Sequence, residues 1–138
     1  MKKVLLFTFL LFLPLTTYAY DGSPKEQVEA FFNEFETGKV NESIDNLYLS
    51  NPAFSQKKQS LTLIKQQIGS LTALYGKYIS NDNVHYEDLT PSLVRIVQIA
   101  NYEIHPVTWE FYFYKQKNKW VVSQAQFADQ FQFIERKK

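Results

Sequence analysis

Apolar residues recur every three or four positions as far as Gly76 and every second position beyond it, so helices are expected first and strands afterwards. Ser23-Pro24-Lys25-Glu26 has the composition of a helix start: a serine that can accept from a free backbone N–H, a proline suited to the first turn, and a glutamate three residues on. Val28, Phe31, Phe32 and Phe35 form the apolar stripe of this first helix, and Gly38 supplies its stop. Asn41 is placed to cap a second, shorter helix with Ile44, Leu47 and Tyr48 inside, ending before Asn51-Pro52. A third helix is predicted from about Ser55 to Tyr75, its stripe Leu61, Ile64, Ile68, Leu71 and Tyr75, with Gly76 closing it. Gly69 within that stretch costs about 1 kcal/mol relative to alanine, which predicts close packing there.

Four strands follow: Tyr78 to Leu89 with an interruption at Asn81-Asp82-Asn83, then Leu93 to Tyr102, Val107 to Tyr114 and Trp120 to Phe127. Their short connections suit antiparallel hairpins. The fold class is α+β, three N-terminal helices packed on one face of a curved four-stranded antiparallel sheet. Parity assigns Val107, Trp109, Phe111 and Phe113 to the face meeting the helices, with Val94, Ile96, Gln98, Ala100 and Tyr102 beside them. In the last strand the more apolar parity is Val121, Ser123, Ala125 and Phe127, which requires a three-residue turn with a bulge near Asn118. The opposite face then carries Tyr112, Tyr114 and Trp120 with Arg95, Glu110 and Gln124. A contiguous aromatic surface on the solvent side of a sheet marks a contact site, and these six residues are the candidate interface. Three occupants stay open for it: a partner protein, the C-terminal tail with Phe131, Phe133 and Ile134, or a small molecule. On the helix side, Gln98 and Tyr102 are the candidate cavity residues.

The N-terminus adds an address. Lys2 and Lys3 precede an apolar run from Val4 to Leu15, and Thr16 to Ala19 are small or weakly polar. This is the pattern of a secretory leader cut after Ala19, leaving residues 20–138 as one domain. The run is shorter than the roughly 20 apolar residues a membrane span needs, so no anchor is expected after cleavage. The destination is periplasmic or secreted, and the lack of cysteine fits a periplasm in which this domain needs no disulfide.

Composition narrows the chemistry. At 45% hydrophobic residues the chain is too apolar for disorder, and without cysteine it has no thiolate metal site or thiol nucleophile. A formal charge of +1 is not the footprint of a nucleic-acid binder. Its four glycines, Gly22, Gly38, Gly69 and Gly76, are too scattered to cradle a phosphate. His85 and Glu87 can point the same way along a strand, but two ligands do not make a metal site. Glu110 and Tyr112 share a face, and Asp129 ends the last strand; these are the residues an acid–base reaction would draw on. No catalytic residue, cofactor or metal is assigned.

The Trp109-x-Phe111-x-Phe113-Tyr114-Lys115 strand, its short polar turn and Trp120 resemble the last hairpin of the NTF2-like (cystatin-like cone) superfamily. Tyr75-Gly76-Lys77-Tyr78, Arg95, Tyr102-Glu103 and Pro106 resemble small exported bacterial members without an assigned activity. The resemblance implies a cone enclosing a cavity and a homodimer through the sheet face. It implies no reaction, because the fold hosts isomerases, dehydratases, transport factors and inert domains. The resulting expectation is a non-enzymatic binding or accessory domain, acting through the cavity on a small apolar or amphipathic ligand, or through the sheet face. The alternative is an isomerase- or dehydratase-like enzyme, or a carrier, using the cavity.

Overall fold

A computed structural model describes residues 19–131 and Ile134. The expected leader, apart from Ala19, and Phe133 of the tail lie outside the described residues. Helices α1 (Pro24–Glu36), α2 (Val40–Leu49) and α3 (Lys58–Tyr75) precede strands β1 (Tyr78–Thr90), β2 (Leu93–Tyr102), β3 (Pro106–Gln116) and β4 (Lys119–Ala128). The strands form one antiparallel sheet in the order β1-β2-β3-β4, an open α+β arrangement. Among the described residues no helix is long and apolar enough to cross a membrane.

Of the three helices, α1 starts at its expected side-chain cap. Ser23 Oγ accepts from the Glu26 N–H while the Glu26 carboxylate accepts from the Ser23 N–H, closing the capping box of α1. The second helix begins two residues earlier than its expected cap would allow. Lys39 occupies the N-cap without a side-chain bond, and Asn41 lies inside the first turn. The third begins later, because Pro52–Phe54 winds a 3-10 turn in which Asn51 Oδ1 accepts from the Ala53 N–H. At the far end Gly76 has φ +82°, and a Cβ there would collide with Glu103, whose carboxylate accepts from the Lys77 N–H.

Gly69 differs from expectation. It is exposed, and nothing lies within 4 Å of where a Cβ would stand, so it has no packing role. Gly69→Ala is therefore expected to stabilise the protein by about 0.5–1 kcal/mol, measured as a raised midpoint in urea unfolding.

The core forms between α1, α2 and one face of the sheet. Val94, Ile96, Ala100 and Tyr102 of β2 join Val107, Trp109, Phe111 and Phe113 of β3 on that face, all buried, as parity predicts. Phe31 meets Trp109 and Phe111 edge-on, with centroids 5.2 and 5.5 Å apart, and Trp109 contacts Phe127 at 4.9 Å. Gln27 is fully buried among these groups, its amide nitrogen donating to the carbonyls of Gly22 and Trp120 and tying α1 to β4.

The last strand corrects the expected sidedness. The β3–β4 turn is a two-residue loop, Lys117-Asn118, with Lys117 at φ +54°. The bulge falls later, where Tyr112 pairs with Gln124 and Phe113 with Val122, leaving Ser123 as the extra residue. Trp120 and Val122 therefore face the helices with Ala125 and Phe127, whereas Val121 faces away. Trp120 packs against the core and under the Lys115 ammonium, 5.6 Å from its ring centroid, and does not belong to the outer face.

Candidate functional site

The outer face of the sheet has a charged centre where an aromatic platform was expected. Arg95 pairs with Tyr112 across the β2–β3 ladder, which makes it a diagonal neighbour of Glu110. Its Nε lies 2.5 Å from Glu110 Oε1, the Tyr112 hydroxyl donates to the same oxygen at 3.0 Å, and Gln126 donates to Oε2 at 2.6 Å. Glu87 of β1 lies 3.8 Å from Arg95 and 3.4 Å from His85. Arg95 and Glu110 are 7% and 0% exposed. Burial disfavours the ionised Glu110, but the bonds from Arg95, Gln126 and Tyr112, with the arginine charge, outweigh it and hold the carboxyl below its ordinary value. Such a carboxylate is a fixed ionic partner, unsuited to proton transfer at neutral pH. Tyr114 is exposed at the margin, and Gln124 bonds Gln126. Of the six residues grouped on this face, five share it and one, Trp120, is on the other side.

Asp129 is also engaged, accepting from the Tyr75 hydroxyl at 2.6 Å, with its carbonyl 3.0 Å from the His105 ring. The bond to Asp129 raises the Tyr75 hydroxyl above its ordinary value.

Two recesses lie on the helix side of the sheet. One, of about 350 Å³ and partly open, is lined by Ile44 and Leu47 of α2, Ile64 and Ile68 of α3, and Trp109, Ala125 and Phe127 of the sheet, with Gln67 as its polar side chain; Gln126 borders it, but its side-chain amide points to Glu110 on the outer face. Trp109 is only 2% exposed, yet its indole N–H finds no acceptor among the described residues. Buried donors are almost always paired, because an unpaired one costs about 1–3 kcal/mol. Tyr48 also lines this cavity; its hydroxyl donates to the Ala125 carbonyl, and burial pushes its pKa up to about 12.

The other recess, a cleft of about 570 Å³, lies between the start of α1 and strands β1 and β2. Gln98 lines it, as a candidate cavity residue should, together with Asn81, Asn83 and Tyr86. Tyr102 lines neither recess. It packs edge-on against Tyr78 at 5.9 Å, and burial pushes its hydroxyl to about 12. A third hollow, of about 360 Å³, separates α2 from the beginning of α3. Of its charged residues, Asp45 and Lys65 satisfy one another at 2.6 Å and Lys58 is exposed, so it offers no unpaired buried group.

The Trp109 cavity was not legible as a site, since the strand parity that buries the ring says nothing about whether its N–H is met. Gln27 did carry a signal: it stands four residues before Phe31, on the buried stripe of α1. Comparison with protein-family models, with curated proteins and with solved structures finds no match for this chain.

Proposed function

We propose that this chain is an exported, non-catalytic binding domain of NTF2-like cone form. It holds a small, mainly apolar molecule bearing one hydrogen-bond acceptor in the cavity between α2, α3 and the β3–β4 half of the sheet. The reading is supported by the apolar lining of this recess together with Trp109, which lines it and whose buried indole N–H has no partner among the described residues. Apolar walls supply affinity by excluding water, and a single buried donor supplies orientation, the usual division of labour in a small-molecule site. A volume near 350 Å³ suits a molecule of one or two rings.

Binding is favoured over catalysis by what the walls lack. The titratable group on them is Tyr48, whose hydroxyl is already engaged and whose pKa stands near 12. Acid–base catalysis needs a group that titrates near the working pH. The carboxylate nominated for that role, Glu110, faces away from the cavity and is held ionised by Arg95. At the N-terminal edge, Tyr20 is buried and donates to Glu34 at 2.7 Å, so packing of this domain extends to the residue following the expected leader cut.

Cyclohexanone, an apolar ring with one carbonyl acceptor, is the probe. It is expected to raise the melting temperature of the wild type saturably by mass action. Ala125→Phe, which fills the cavity from β4, should abolish that rise; Ile64→Trp fills it from α3 should the first variant melt too early to read. An equal response in the filled variants, or none in the wild type, would refute the proposal.

A further inference from the structure

The cleft between α1 and β1–β2 owes its chemistry to two irregularities in β1. Tyr78 pairs with Tyr102 and faces the helices; the register then shifts so that Ser80 pairs with Asn101, and shifts again between Asn83 and His85. Ile79 and Val84 are the extra residues. Between them the side-chain alternation is inverted, so Asn81 and Asn83 stand opposite Ala100 and Gln98 on the helix side. Ser80 and Asp82 are turned to the outer face, where both accept from Asn101. After Val84 the original alternation returns, and Tyr86 faces the helices opposite Ile96. A regular strand would have placed Ser80, Asp82 and Val84 on the inner face. Paired bulges that re-aim two side chains and then cancel are a local device of the kind found beside binding sites.

The re-aimed asparagines join Gln98 in a chain. Tyr78 donates to Asn81 at 2.9 Å, Asn81 to Gln98 at 2.9 Å, and Gln98 to Asn83 at 3.0 Å. These bonds fix the amide planes without exhausting them, since each amide keeps an N–H and an oxygen lone pair. Gln98 is only 7% exposed, Asn81 is half-buried and Asn83 is exposed, so the row runs from the floor of the cleft to its rim. No member of that floor is charged. Lys25 and Glu29 line the cleft from α1 with opposite signs, and Tyr86, 44% exposed, adds an aromatic wall.

We propose that this cleft is a second ligand site, separate from the Trp109 cavity, and that it takes a neutral polyhydroxylated molecule of sugar size. A hydroxyl is donor and acceptor at once, and an amide offers both side by side, so a row of fixed amides matches a row of hydroxyls. The uncharged floor and balanced rim disfavour an anion or a cation, whereas an aromatic wall accommodates the apolar face of a sugar ring. A volume of about 570 Å³ lies within the range of small-molecule sites.

The test is a two-dimensional NMR titration of the whole domain, following the side-chain amide signals of Asn81 and Gln98. D-glucose and myo-inositol are the neutral probes; sodium glutamate and inorganic phosphate are the charged ones. The neutral probes are expected to shift both amides saturably. Asn83→Ala should weaken that binding on the order of tenfold, while Asn101→Ala, on the other face, should leave it unchanged. Gln98→Leu, followed through Asn81, serves as the second variant. No saturable shift with either neutral probe, a response confined to the charged probes, or unaltered binding in both Asn83→Ala and Gln98→Leu would overturn the proposal. The cyclohexanone response at the Trp109 cavity is read independently and stands or falls by itself.

Discussion

Glu110→Ala is expected to lower stability by about 3–5 kcal/mol, because it leaves the Arg95 guanidinium buried and stripped of its principal partner. A domain of this size is stable by only about 5–15 kcal/mol, so urea unfolding should show the variant near the edge of folding at ambient temperature. The pair Arg95→Met with Glu110→Leu should recover most of the loss, since removing both charges also removes the cost of burying them. The acid limb supplies an independent reading. The folded Glu110 carboxyl lies below its ordinary value of 4.5, so its contribution is fully present above that pH. It is lost as pH falls through the lower, folded value. The wild type should therefore lose stability on acidification below about pH 4.5 more steeply than the double variant.

Phe111→Ala should cost a comparable amount, about 3–5 kcal/mol. Its ring is 0% exposed and lies against Phe31, Phe32, Trp109 and Phe113, so truncation leaves a void that several stiff rings cannot refill. Tyr114→Ala, three residues along the same strand but on the other face and 47% exposed, should change stability by no more than about 0.5 kcal/mol. Equal costs for the two, measured by equilibrium unfolding, would invalidate the sidedness of β3.

That sidedness was legible because alternation in β3 is unbroken, each apolar residue from Val107 to Phe113 standing two positions from the next, whereas β2 is apolar in both parities and took its sidedness from its pairing with β3. In β4 the same logic failed at one place. Trp120-Val121-Val122-Ser123 offers apolar residues in both parities, so the position of the bulge, at Ser123 rather than near Asn118, could not be chosen from hydrophobicity. The bulges at Ile79 and Val84 in β1 were legible only as an interruption at Asn81-Asp82-Asn83. Their effect, two asparagines re-aimed inward, depends on register with β2. Arg95 and Glu110 were placed on their true face, yet ascribed to an interface. Their diagonal spacing on neighbouring strands held the signal that they satisfy each other. The three helices were legible from their apolar stripes, and the start of α1 from its cap. What was not legible is where they stop short of filling the core, since a cavity is set by the joint placement of α2, α3 and the sheet.

The indole N–H signal of Trp109 reports most directly on whether that space is a ligand site. In a two-dimensional NMR spectrum, cyclohexanone should move it downfield and slow its exchange with solvent, with the Trp120 signal as the internal reference. Methylcyclohexane, of similar size but without an acceptor, should produce no such downfield shift. A Trp109 signal indifferent to the ketone, or equally displaced by ketone and hydrocarbon, would contradict the assignment of this cavity as a site that recognises an acceptor.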